Sequence, residues 1–506
     1  MNQPAPRFDM SLQQLFDGFV KTPVDAHIRV RDIKLDSRQV HPGDLFVALR
    51  GSEVDGTRFI HRAIERGAVA VALDAEQTKL TGDCPVPLVR VENIRARLGD
   101  IADRFFASPS RQLCVIGITG TNGKTSCCQY IAQSLAASEV RCGMIGTLGW
   151  GEPGKLINTG HTTPDVVSVH RMLAHFVAAG FEVVVMEVSS HGLDQMRVNG
   201  VRFDTGVFTN LTRDHLDYHQ TMQHYGSSKR KLFEMSGMKR AVLNVDDNFG
   251  SQLYRELGGE LQVVGYALDE AAQVRATSIQ LTAQGIRARV SSPWGEGILS
   301  SQLLGRFNLS NLLAVFTVLC LQGLSVDKAL AVIAGLENAP GRMQRYGGRG
   351  LPVVVVDYAH TADALMVALA TLRELSRGRL ICVFGCGGER DKGKRPQMGK
   401  MAERFSDQII LTNDNPRREA GQQIIDEILA GITRPQKVRV CLDRSMAIQQ
   451  AVSMAGVDDV VLVAGKGHEN YQEIGGVRMA FNDGEQVKQA LYLKAHKGRP
   501  QPGDKS

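Results

Sequence analysis

A glycine-rich segment at residues 117–126, Gly-Ile-Thr-Gly-Thr-Asn-Gly-Lys-Thr-Ser, has the residue types of a phosphate-binding loop. The apolar run 113–116 before it predicts a strand, and residues 127–136 after it predict a helix. In that setting, backbone N–H groups and the helix N-terminus bind a triphosphate. Lys124 can reach the outer phosphates, and the Thr125 hydroxyl can ligate Mg²⁺. The segment therefore predicts a nucleoside triphosphate as the energy source, although Ile118 occupies the position where the general pattern has its first glycine.

A carboxylate follows a second predicted strand. The apolar run 183–186 ends at Glu187, and in phosphate-loop enzymes such an acid is the partner of nucleotide-bound Mg²⁺. An exposed acid at the end of a strand is the alternative. The polar cluster 189–192, Ser-Ser-His-Gly, favours a functional site.

Three further groups of polar residues in this part of the chain are ambiguous when considered alone. The loop 210–219 contains two acids and two histidines, which suit a metal or phosphate site but also a polar surface loop. Lys229, on a helix-like stretch at 224–233, predicts an ordinary solvated side chain. Asn308 and Asn311 lie one turn apart on one face of a predicted helix, where helix capping would also explain them.

The last third of the chain has four polar loops that each follow a predicted strand: 357–360, 385–392, 414–417 and 465–469. The second is not a dinucleotide fingerprint, because Arg390 replaces its third glycine. Asn-Pro in the third loop is a common turn, but Arg417 presents a planar fork suited to a carboxylate. Glu469 could hold an amine. Together these residues predict a zwitterionic, amino-acid-like ligand, and the basic cluster 390–395 suits small anions.

The alternation of predicted strands and helices predicts an α/β protein of three domains. We expect a small α/β N-terminal domain at 1–108, a central domain with a mainly parallel sheet at 109–340, and a Rossmann-like C-terminal domain at 341–493. A disordered tail is expected at 494–506. Ligands of such sheets bind beyond the carboxyl ends of the strands, where the polar loops stand.

Composition excludes several other classes of protein. The chain has 506 residues, 43% hydrophobic and 22% charged, and its net charge of +6 is too dilute to indicate nucleic-acid binding. Its nine cysteines lack the spacing of a zinc site or a disulfide framework. The first residues do not read as a signal peptide, and no segment reaches the length of about 18 apolar residues typical of a membrane span. These features predict a cytoplasmic protein without a membrane partner.

Five of these motifs, in this order, resemble the Mur ligases, and specifically the members that add diaminopimelate. They are residues 119–125, 186–192, 214–219, 357–360 and 414–417, and the resemblance extends from Leu35 to Glu469. It implies a cytoplasmic, ATP-dependent ligase of peptidoglycan precursor synthesis. ATP would phosphorylate the D-Glu γ-carboxylate of UDP-MurNAc-L-Ala-D-Glu, and the amine of meso-diaminopimelate would attack the acyl phosphate. We expect a monomer.

The resemblance also implies roles for individual residues. Lys124, Glu187, His215 and Lys229 would be catalytic. Thr125 and Glu187 would bind one Mg²⁺, and His215 with a carbamylated Lys229 would bind a second. The residues expected to bind ATP are Gly120, Thr121, Asn122, Gly123, Lys124, Thr125, Ser126, Asn311, Arg342 and Asp357.

Two further sets are implied for the other substrates. The nucleotide-sugar dipeptide would contact Leu35, Ser37, Ser52, Glu53, Val54, His161, Thr162, Thr163, Ser189, Gln195 and Arg197. The match departs from the family at His161, where the pattern has Asn. Diaminopimelate would contact Arg390, Asp414, Asn415, Pro416, Arg417, Gly465 and Glu469.

Three alternative functions make different predictions. A lysine-adding ligase of the same family would not need Arg417, because lysine has no second carboxylate. Folylpolyglutamate synthase has the phosphate loop but would not explain the loop 414–417 or the N-terminal block. A phosphate-loop motor or nucleic-acid ATPase requires a basic groove, which the sequence does not show.

Overall fold

The computed structural model describes residues 8–20, 25, 27–51, 55–77, 84–259, 261–282, 284–348 and 350–496. The chain forms the predicted α/β architecture, with three main sheets that follow one another along the sequence. The predicted contacts Ser52, Glu53 and Val54 lie outside the described residues, as does the segment 497–506 of the predicted tail. The last helix extends to His496, so the first three residues assigned to that tail are helical instead.

The N-terminal domain has a parallel sheet in the order β3-β4-β5-β6, with a small β1-β2 pair beside it. Its strands are β1 Met10–Ser11, β2 Arg29–Val30, β3 Asp32–Lys34, β4 Asp44–Ala48, β5 Ala70–Asp74 and β6 Leu88–Val91. Its helices are α1 Leu12–Phe16, α2 Ile60–Glu65 and α3 Ile94–Phe105.

The central domain has a sheet in the order β10-β9-β8-β11-β7-β12-β13-β14-β15-β16-β17. Its middle strands are parallel, and the outer pairs at both edges are antiparallel. The strands are β7 Cys114–Thr119, β8 Cys142–Gly146, β9 Gly149–Glu152, β10 Lys155–Ile157, β11 Val183–Glu187, β12 Thr205–Phe208, β13 Arg240–Asn244, β14 Gln262–Ala267, β15 Val274–Thr282, β16 Gly285–Ser292 and β17 Gly295–Ser301. The helices are α4 Lys124–Ala136, α5 Val166–Ala178, α6 Ser190–Asp194, α7 Leu216–His219, α8 Met222–Arg230, α9 Asn248–Glu256, α10 Arg306–Leu321 and α11 Val326–Ala334.

The C-terminal domain has a sheet in the order β18-β19-β23-β20-β21-β22, parallel except at β18, and a separate β24-β25 hairpin. The strands are β18 Gln344–Gly347, β19 Val353–Asp357, β20 Leu380–Phe384, β21 Gln408–Leu411, β22 Val438–Val440, β23 Val460–Ala464, β24 Tyr471–Ile474 and β25 Val477–Ala480. The helices are α12 Ala362–Leu375, α13 Lys394–Phe405, α14 Gly421–Leu429, α15 Arg444–Met454 and α16 Asp483–His496.

Apolar cores cover both faces of the central and C-terminal sheets. Ile116 on β7 packs with helices α4 and α10, whereas Val115, its neighbour, packs on the opposite face with α5. Strands that are buried on both faces read as continuous apolar runs, which is why these strands were predictable. Helix α5 also contributes Val166 and Val167 to the core of the N-terminal domain, so it joins the first two domains. Among the described residues, no helix is both long and apolar enough to cross a membrane.

Candidate active site

The phosphate loop connects β7 to α4, as the sequence predicts. Ile118 is fully buried in β7, which explains why an apolar residue occupies the position of the first glycine. Gly120 has a φ of +148°, and a Cβ there would lie 1.9 Å from Thr209 Oγ1. The loop is held from the β12 side, where the Thr121 and Asn122 N–H groups donate to the Asn210 carbonyl (2.8 Å) and to its Oδ1 (2.9 Å). Glycine is therefore required at 120 by close packing against the next loop.

The Lys124 side chain curls back over the loop. Its Nζ donates to the carbonyls of Gly120 and Thr121, both at 2.8 Å. Burial lowers the pKa of Lys124, and the Glu187 carboxylate opposes that shift. This places an ammonium group inside the loop, where the phosphates of a nucleotide would lie.

Glu187 ends β11, the strand beside β7, and is buried. Its Oε2 accepts a hydrogen bond from Thr125 Oγ1 at 2.9 Å, and its Oε1 accepts from the Thr147 N–H at 2.8 Å. The reading of Glu187 as an exposed acid is therefore wrong. A buried carboxylate against the hydroxyl that follows the loop lysine is a donor set that fits Mg²⁺.

Lys229 is only 1% exposed, so its reading as a solvated side chain is also wrong. Its Nζ donates to the Gly120 carbonyl at 2.8 Å and lies 4.3 Å from the centre of the Tyr225 ring. Burial, with the nearby positive charge of Lys124, lowers its pKa well below the usual value. Lys229 therefore lies against the phosphate loop, with its charged form disfavoured.

His215 stands at the start of the short helix α7 with a φ of +55°, a conformation unusual for a non-glycine residue. Its Nε2 lies 3.4 Å from Asp214 Oδ2. Burial lowers the pKa of His215 to about 4, with Asp214 opposing the shift, so the ring is neutral near pH 7. Neutral imidazole is the form that binds metals. Within the described residues, however, no three His, Cys, Asp or Glu side chains group together as a metal site.

Helix α10 places the two asparagines against α4. Asn308 donates to the Leu304 carbonyl at 2.9 Å, and a Cβ on Gly123 would lie 2.6 Å from Asn311 Oδ1. The N-cap of α10 is Gly305, so the helix-capping interpretation of Asn308 is wrong.

Arg342 connects the C-terminal domain to the start of α4, next to the phosphate loop. Its Nη2 donates to Thr125 Oγ1 at 3.2 Å, and its guanidinium lies 4.3 Å from the centre of the Tyr358 ring. Asp357 is oriented by the N–H groups of Met343 (2.7 Å) and Ala359 (2.8 Å), and burial raises its pKa. Of the two predicted ATP residues of this domain, Arg342 contacts the start of α4 directly, and Asp357 lies within reach of the Arg342 charge.

A cavity of about 1280 Å³ lies between the central and C-terminal domains. Its central-domain wall contains five of the residues predicted to bind the nucleotide-sugar dipeptide: His161, Thr162, Thr163, Ser189 and Arg197. His215, predicted to bind metal, lies in the same wall. Its C-terminal wall contains Arg390, Asp414, Asn415, Arg417, Gly465 and Glu469. Thr147 also lies in the wall, and its N–H donates a hydrogen bond to Glu187, which lies beside the phosphate loop. The cavity therefore joins residues predicted for two different substrates.

Arg197 organises the central-domain wall. It donates to the Thr163 carbonyl at 2.8 Å and to Gln195 Oε1 at 3.0 Å, so Gln195 is oriented although it does not line the cavity. Leu35 packs against the N-terminal core and Ser37 is buried. Neither lines the cavity, so a nucleotide-sugar contact at these two positions stays a prediction.

The loop 414–417 follows β21 and is held by the β24-β25 hairpin. Arg417 has a φ of +54°; its N–H donates to the Glu473 carbonyl (3.0 Å), and its own carbonyl accepts from Gly475 (2.7 Å). Gln472 Nε2 donates to the Asp414 carbonyl at 2.9 Å. A strand that follows in the sequence therefore fixes the backbone of the predicted amino-acid site.

Two side chains of this predicted site already make contacts within the protein. Arg417 Nη1 donates to the Gly388 carbonyl at 2.5 Å, and Arg390 is exposed at the cavity wall. Glu469 Oε2 already accepts from Lys466 (2.7 Å) and Asn415 (2.8 Å). A Cβ on Gly465 would lie 2.4 Å from Asp414 Oδ2, so there is no room for a side chain at position 465. The carboxylates of Asp414 and Glu469 both face the cavity region, and only that of Glu469 is held by a buried lysine.

The basic cluster 390–395 does not act as one anion site. Arg395 is fully buried and donates to Glu419 (2.9 Å) and Glu427 (2.7 Å), so it stabilises the C-terminal core. Arg395 lies on the same face of α13 as the buried residues Met398 and Ala402, one and two turns later. This spacing was the sequence signal that Arg395 is buried.

Sequence reasoning missed several residues behind the site. Lys466 is buried against Asn415 and Glu469, and Arg444 is buried in a paired contact with Asp483 (both 2.7 Å). Arg444 also donates to the Ala464 carbonyl at 2.9 Å, which supports the end of β23. His360 and His468 line the cavity around Tyr358. Lys466 and His468 lie in the predicted loop 465–469 and His360 in the predicted loop 357–360, whereas no local pattern indicated Arg444.

Sequence models of one family match in all three parts of the chain. The Mur ligase family catalytic domain matches residues 29–106, the Mur ligase middle domain residues 118–319, and the Mur ligase glutamate ligase domain residues 341–467. The UDP-N-acetylmuramoyl-L-alanyl-D-glutamate–2,6-diaminopimelate ligase of Coxiella burnetii is 49% identical over 95% of this chain and 99% of its own length. The chain belongs to the Mur ligase family.

Solved Mur ligase structures have the same architecture. One of a UDP-N-acetylmuramoyl-L-alanyl-D-glutamate–2,6-diaminopimelate ligase is 33% identical, with a TM-score of 0.69 over 96% of this chain and 99% of that one. The MurF ligase of Thermotoga maritima in complex with ADP is 19% identical, with a TM-score of 0.64 over 93% of this chain and 99% of that one. The second likeness shows the fold alone. The predicted three-domain Mur ligase fold is confirmed.

Proposed function

We propose that this chain is an ATP-dependent ligase that joins meso-2,6-diaminopimelate to the D-Glu γ-carboxylate of UDP-MurNAc-L-Ala-D-Glu. The observation that carries the proposal is the cavity between the two larger domains. One wall contains Thr163 and Arg197, which are predicted to bind the dipeptide, and the other contains Arg417 and Asp414, which are predicted to bind the amino acid. The curated relative with 49% identity bears the name of this ligase.

The first half-reaction belongs to the central domain. A γ-carboxylate oxygen attacks the γ-phosphorus of ATP, ADP leaves, and an acyl phosphate forms. Lys124 supplies positive charge at the transferring phosphoryl group, and Arg342 adds a second positive group beside Thr125. The chain's contribution is mainly to position and neutralise the reacting groups.

The second half-reaction joins the two walls. The amine nitrogen of diaminopimelate attacks the acyl carbon, the C–O bond to phosphate breaks, and the nitrogen loses a proton. Asp414 and Glu469 offer carboxylates for the ammonium groups, and Arg417 offers a guanidinium for the distant carboxylate. These contacts would orient the attacking amine of diaminopimelate toward the central-domain wall.

Thr125 and Glu187 would hold Mg²⁺, because a buried carboxylate and a hydroxyl already meet there at 2.9 Å. His215 and Lys229 would hold a second ion. When bound, Mg²⁺ neutralises the charge that develops on the phosphoryl oxygens. We propose that Lys229 is carbamylated, since its lowered pKa leaves a neutral amine that can react with CO₂ to give a carbamate and a proton.

The function is tested by a coupled assay of phosphate release with UDP-MurNAc-L-Ala-D-Glu, ATP and a panel of diamino acids. We expect release that depends on meso-diaminopimelate, with a mass increase of the nucleotide product by one diaminopimelate residue. Equal or greater turnover with lysine would identify the lysine-adding activity instead. Nucleic-acid-stimulated hydrolysis without the nucleotide sugar would indicate a different ATPase and contradict the proposal.

Glu187→Gln is expected to lower ligation by about 10²-fold or more and to raise the Mg²⁺ concentration needed for half-maximal rate. Glutamine keeps the shape but turns an N–H donor toward Thr125 or Thr147, and it removes the negative charge. The measurement is the initial rate across a Mg²⁺ titration. Glu182→Gln, on an exposed residue just before the same strand, is the control and should behave as wild type. An unchanged Mg²⁺ requirement in Glu187→Gln would remove Glu187 from the metal site.

Arg417→Ala is expected to reduce activity with diaminopimelate far more than the trace activity with lysine. A site that pairs a guanidinium with a carboxylate leaves its positive charge without that carboxylate when lysine binds, and such discrimination can reach roughly 10⁴-fold. The measurement is kcat/KM for both amino acids in wild type and variant. Arg418→Ala is the matched control, because Arg418 is the exposed neighbour. Equal losses for both amino acids would show that Arg417 only maintains the loop.

A further inference from the structure

Lys466 is a buried lysine directly behind the amino-acid wall of the cavity. Its side chain is 0% exposed, and it does not line the cavity, whereas its neighbours Gly465 and Glu469 do. Its Nζ lies 2.7 Å from Glu469 Oε2 and 3.0 Å from Asn415 Oδ1. One ammonium group therefore contacts two cavity residues that come from different strand ends, β21 and β23.

We infer that Lys466 is a positioning residue of the amino-acid site, which fixes the direction of the Asn415 amide and leaves one Glu469 oxygen for the substrate. This inference rests on the proposed function. Lys466 would not contact the amino acid itself. Its effect would pass through Asn415 and Glu469.

The direction of the Asn415 amide follows from the donors around it. An ammonium group and a backbone N–H can only donate, and both Lys466 Nζ and the Glu473 N–H (3.0 Å) lie against one atom of the amide. That atom must be the oxygen, Oδ1. The amide nitrogen, Nδ2, must then point to Glu469 Oε2, where it donates at 2.8 Å.

The Glu469 carboxylate is consequently occupied on one side. Oε2 accepts from both Lys466 and Asn415, while Oε1 has no hydrogen-bond donor among the described residues. Oε1 is the acceptor left for a substrate ammonium group. Without Lys466, Asn415 could turn over and Glu469 could rotate, so the acceptor would no longer have one defined direction.

Charge gives a second reason for this lysine. Glu469 is largely buried, and a buried carboxylate without a partner is strongly unfavourable. Lys466 pairs with Glu469, whereas the second carboxylate of the site, that of Asp414, lies next to Gly465. Lys466 thus supplies the partner that the Glu469 carboxylate needs at this depth.

The test compares the two half-reactions in Lys466→Met and Lys466→Gln. Hydroxylamine traps the acyl phosphate as a hydroxamate without diaminopimelate, and it therefore reports on folding and on the first half-reaction. Diaminopimelate-dependent phosphate release reports on the second. Lys488→Met is the matched control, since Lys488 pairs with Glu485 on the exposed face of α16.

We expect both variants to keep hydroxamate formation, and the KM for ATP and for the nucleotide sugar, within about 2-fold of wild type. The KM for diaminopimelate should rise about 10- to 100-fold, the range found for residues that orient the side chains of metal ligands. Gln, which retains one donor, should lose less than Met. The control variant should match wild type in all four measurements.

Two outcomes would overturn the inference. An unchanged KM for diaminopimelate would show that Asn415 and Glu469 keep their directions without Lys466. Loss of hydroxamate formation in both variants would make Lys466 a determinant of folding. Failure of the proposed function is distinguishable, because the wild-type protein would then show no diaminopimelate-dependent phosphate release.

Discussion

Lys124→Ala is expected to abolish measurable ligation, with a loss of about 10³-fold or more, while the protein remains folded. The Lys124 ammonium group hydrogen-bonds to the loop carbonyls of Gly120 and Thr121, and its side chain is not part of the apolar clusters of the described residues, so its removal opens no cavity in the apolar core. It also removes a buried charge whose pKa is lowered by desolvation. The loss is therefore expected in the chemical step and not in the free energy of unfolding.

The measurement is phosphate release at saturating substrates, together with the thermal midpoint of unfolding. Lys328→Ala is the control, because Lys328 is exposed on α11 of the same domain. Near-normal phosphate release by the Lys124 variant would refute the assignment of the ATP site. A fall of the midpoint by many degrees would instead indicate a structural role.

Lys229→Ala is expected to be nearly inactive and to recover partly in the presence of short carboxylic acids. The variant leaves an empty space beside the Gly120 carbonyl, where the buried side chain was. A small carboxylate that enters this space would replace the negative group of the proposed carbamate. Recovery should therefore follow the size of the added acid, with formate or acetate more effective than butyrate.

The measurement is the rate as a function of carboxylate concentration, alongside the intact mass of the wild-type protein at neutral and acidic pH. Lys231→Ala is the control, since Lys231 is half-exposed and pairs with Asp194. It should remain active and show no response to carboxylates. A wild-type structure with two bound Mg²⁺ ions and an unmodified Lys229 ammonium would contradict the carbamate.

The positions of the polar loops were predictable because the strands before them are buried on both faces. The apolar run at 183–186 becomes β11 Val183–Glu187, and the run at 113–116 overlaps the start of β7 Cys114–Thr119. Since parallel neighbours place their carboxyl ends at one edge, the order β11-β7-β12 brings Glu187 next to the phosphate loop. The apolar runs therefore predict where each polar loop begins, and the strand order determines which of these loops lie side by side.

The burial of individual polar side chains was not predictable in the same way. Lys229 lies on a short helix with mostly polar residues, and its burial results from Tyr225 and Gly226 facing the loop around Leu211. Lys466, one partner of Glu469, lies three residues away in the same loop, but the other partner, Asn415, follows a different strand and no local spacing indicates that contact. The outer antiparallel strands β15, β16 and β17 were also missed, because half-exposed strands alternate and contain few apolar runs.

The cavity wall is divided between two domains, with Thr163 and Arg197 on one and Asp414 and Arg417 on the other. A single molecule that mimics both the dipeptide end and the amino acid would occupy both walls at once. After one half has bound, the other half is present at an effective concentration in the range of about mM for a short linker. Such a bisubstrate inhibitor should bind far more tightly than either half. Its affinity would decline steeply once the linker is too short to span the gap between the domains.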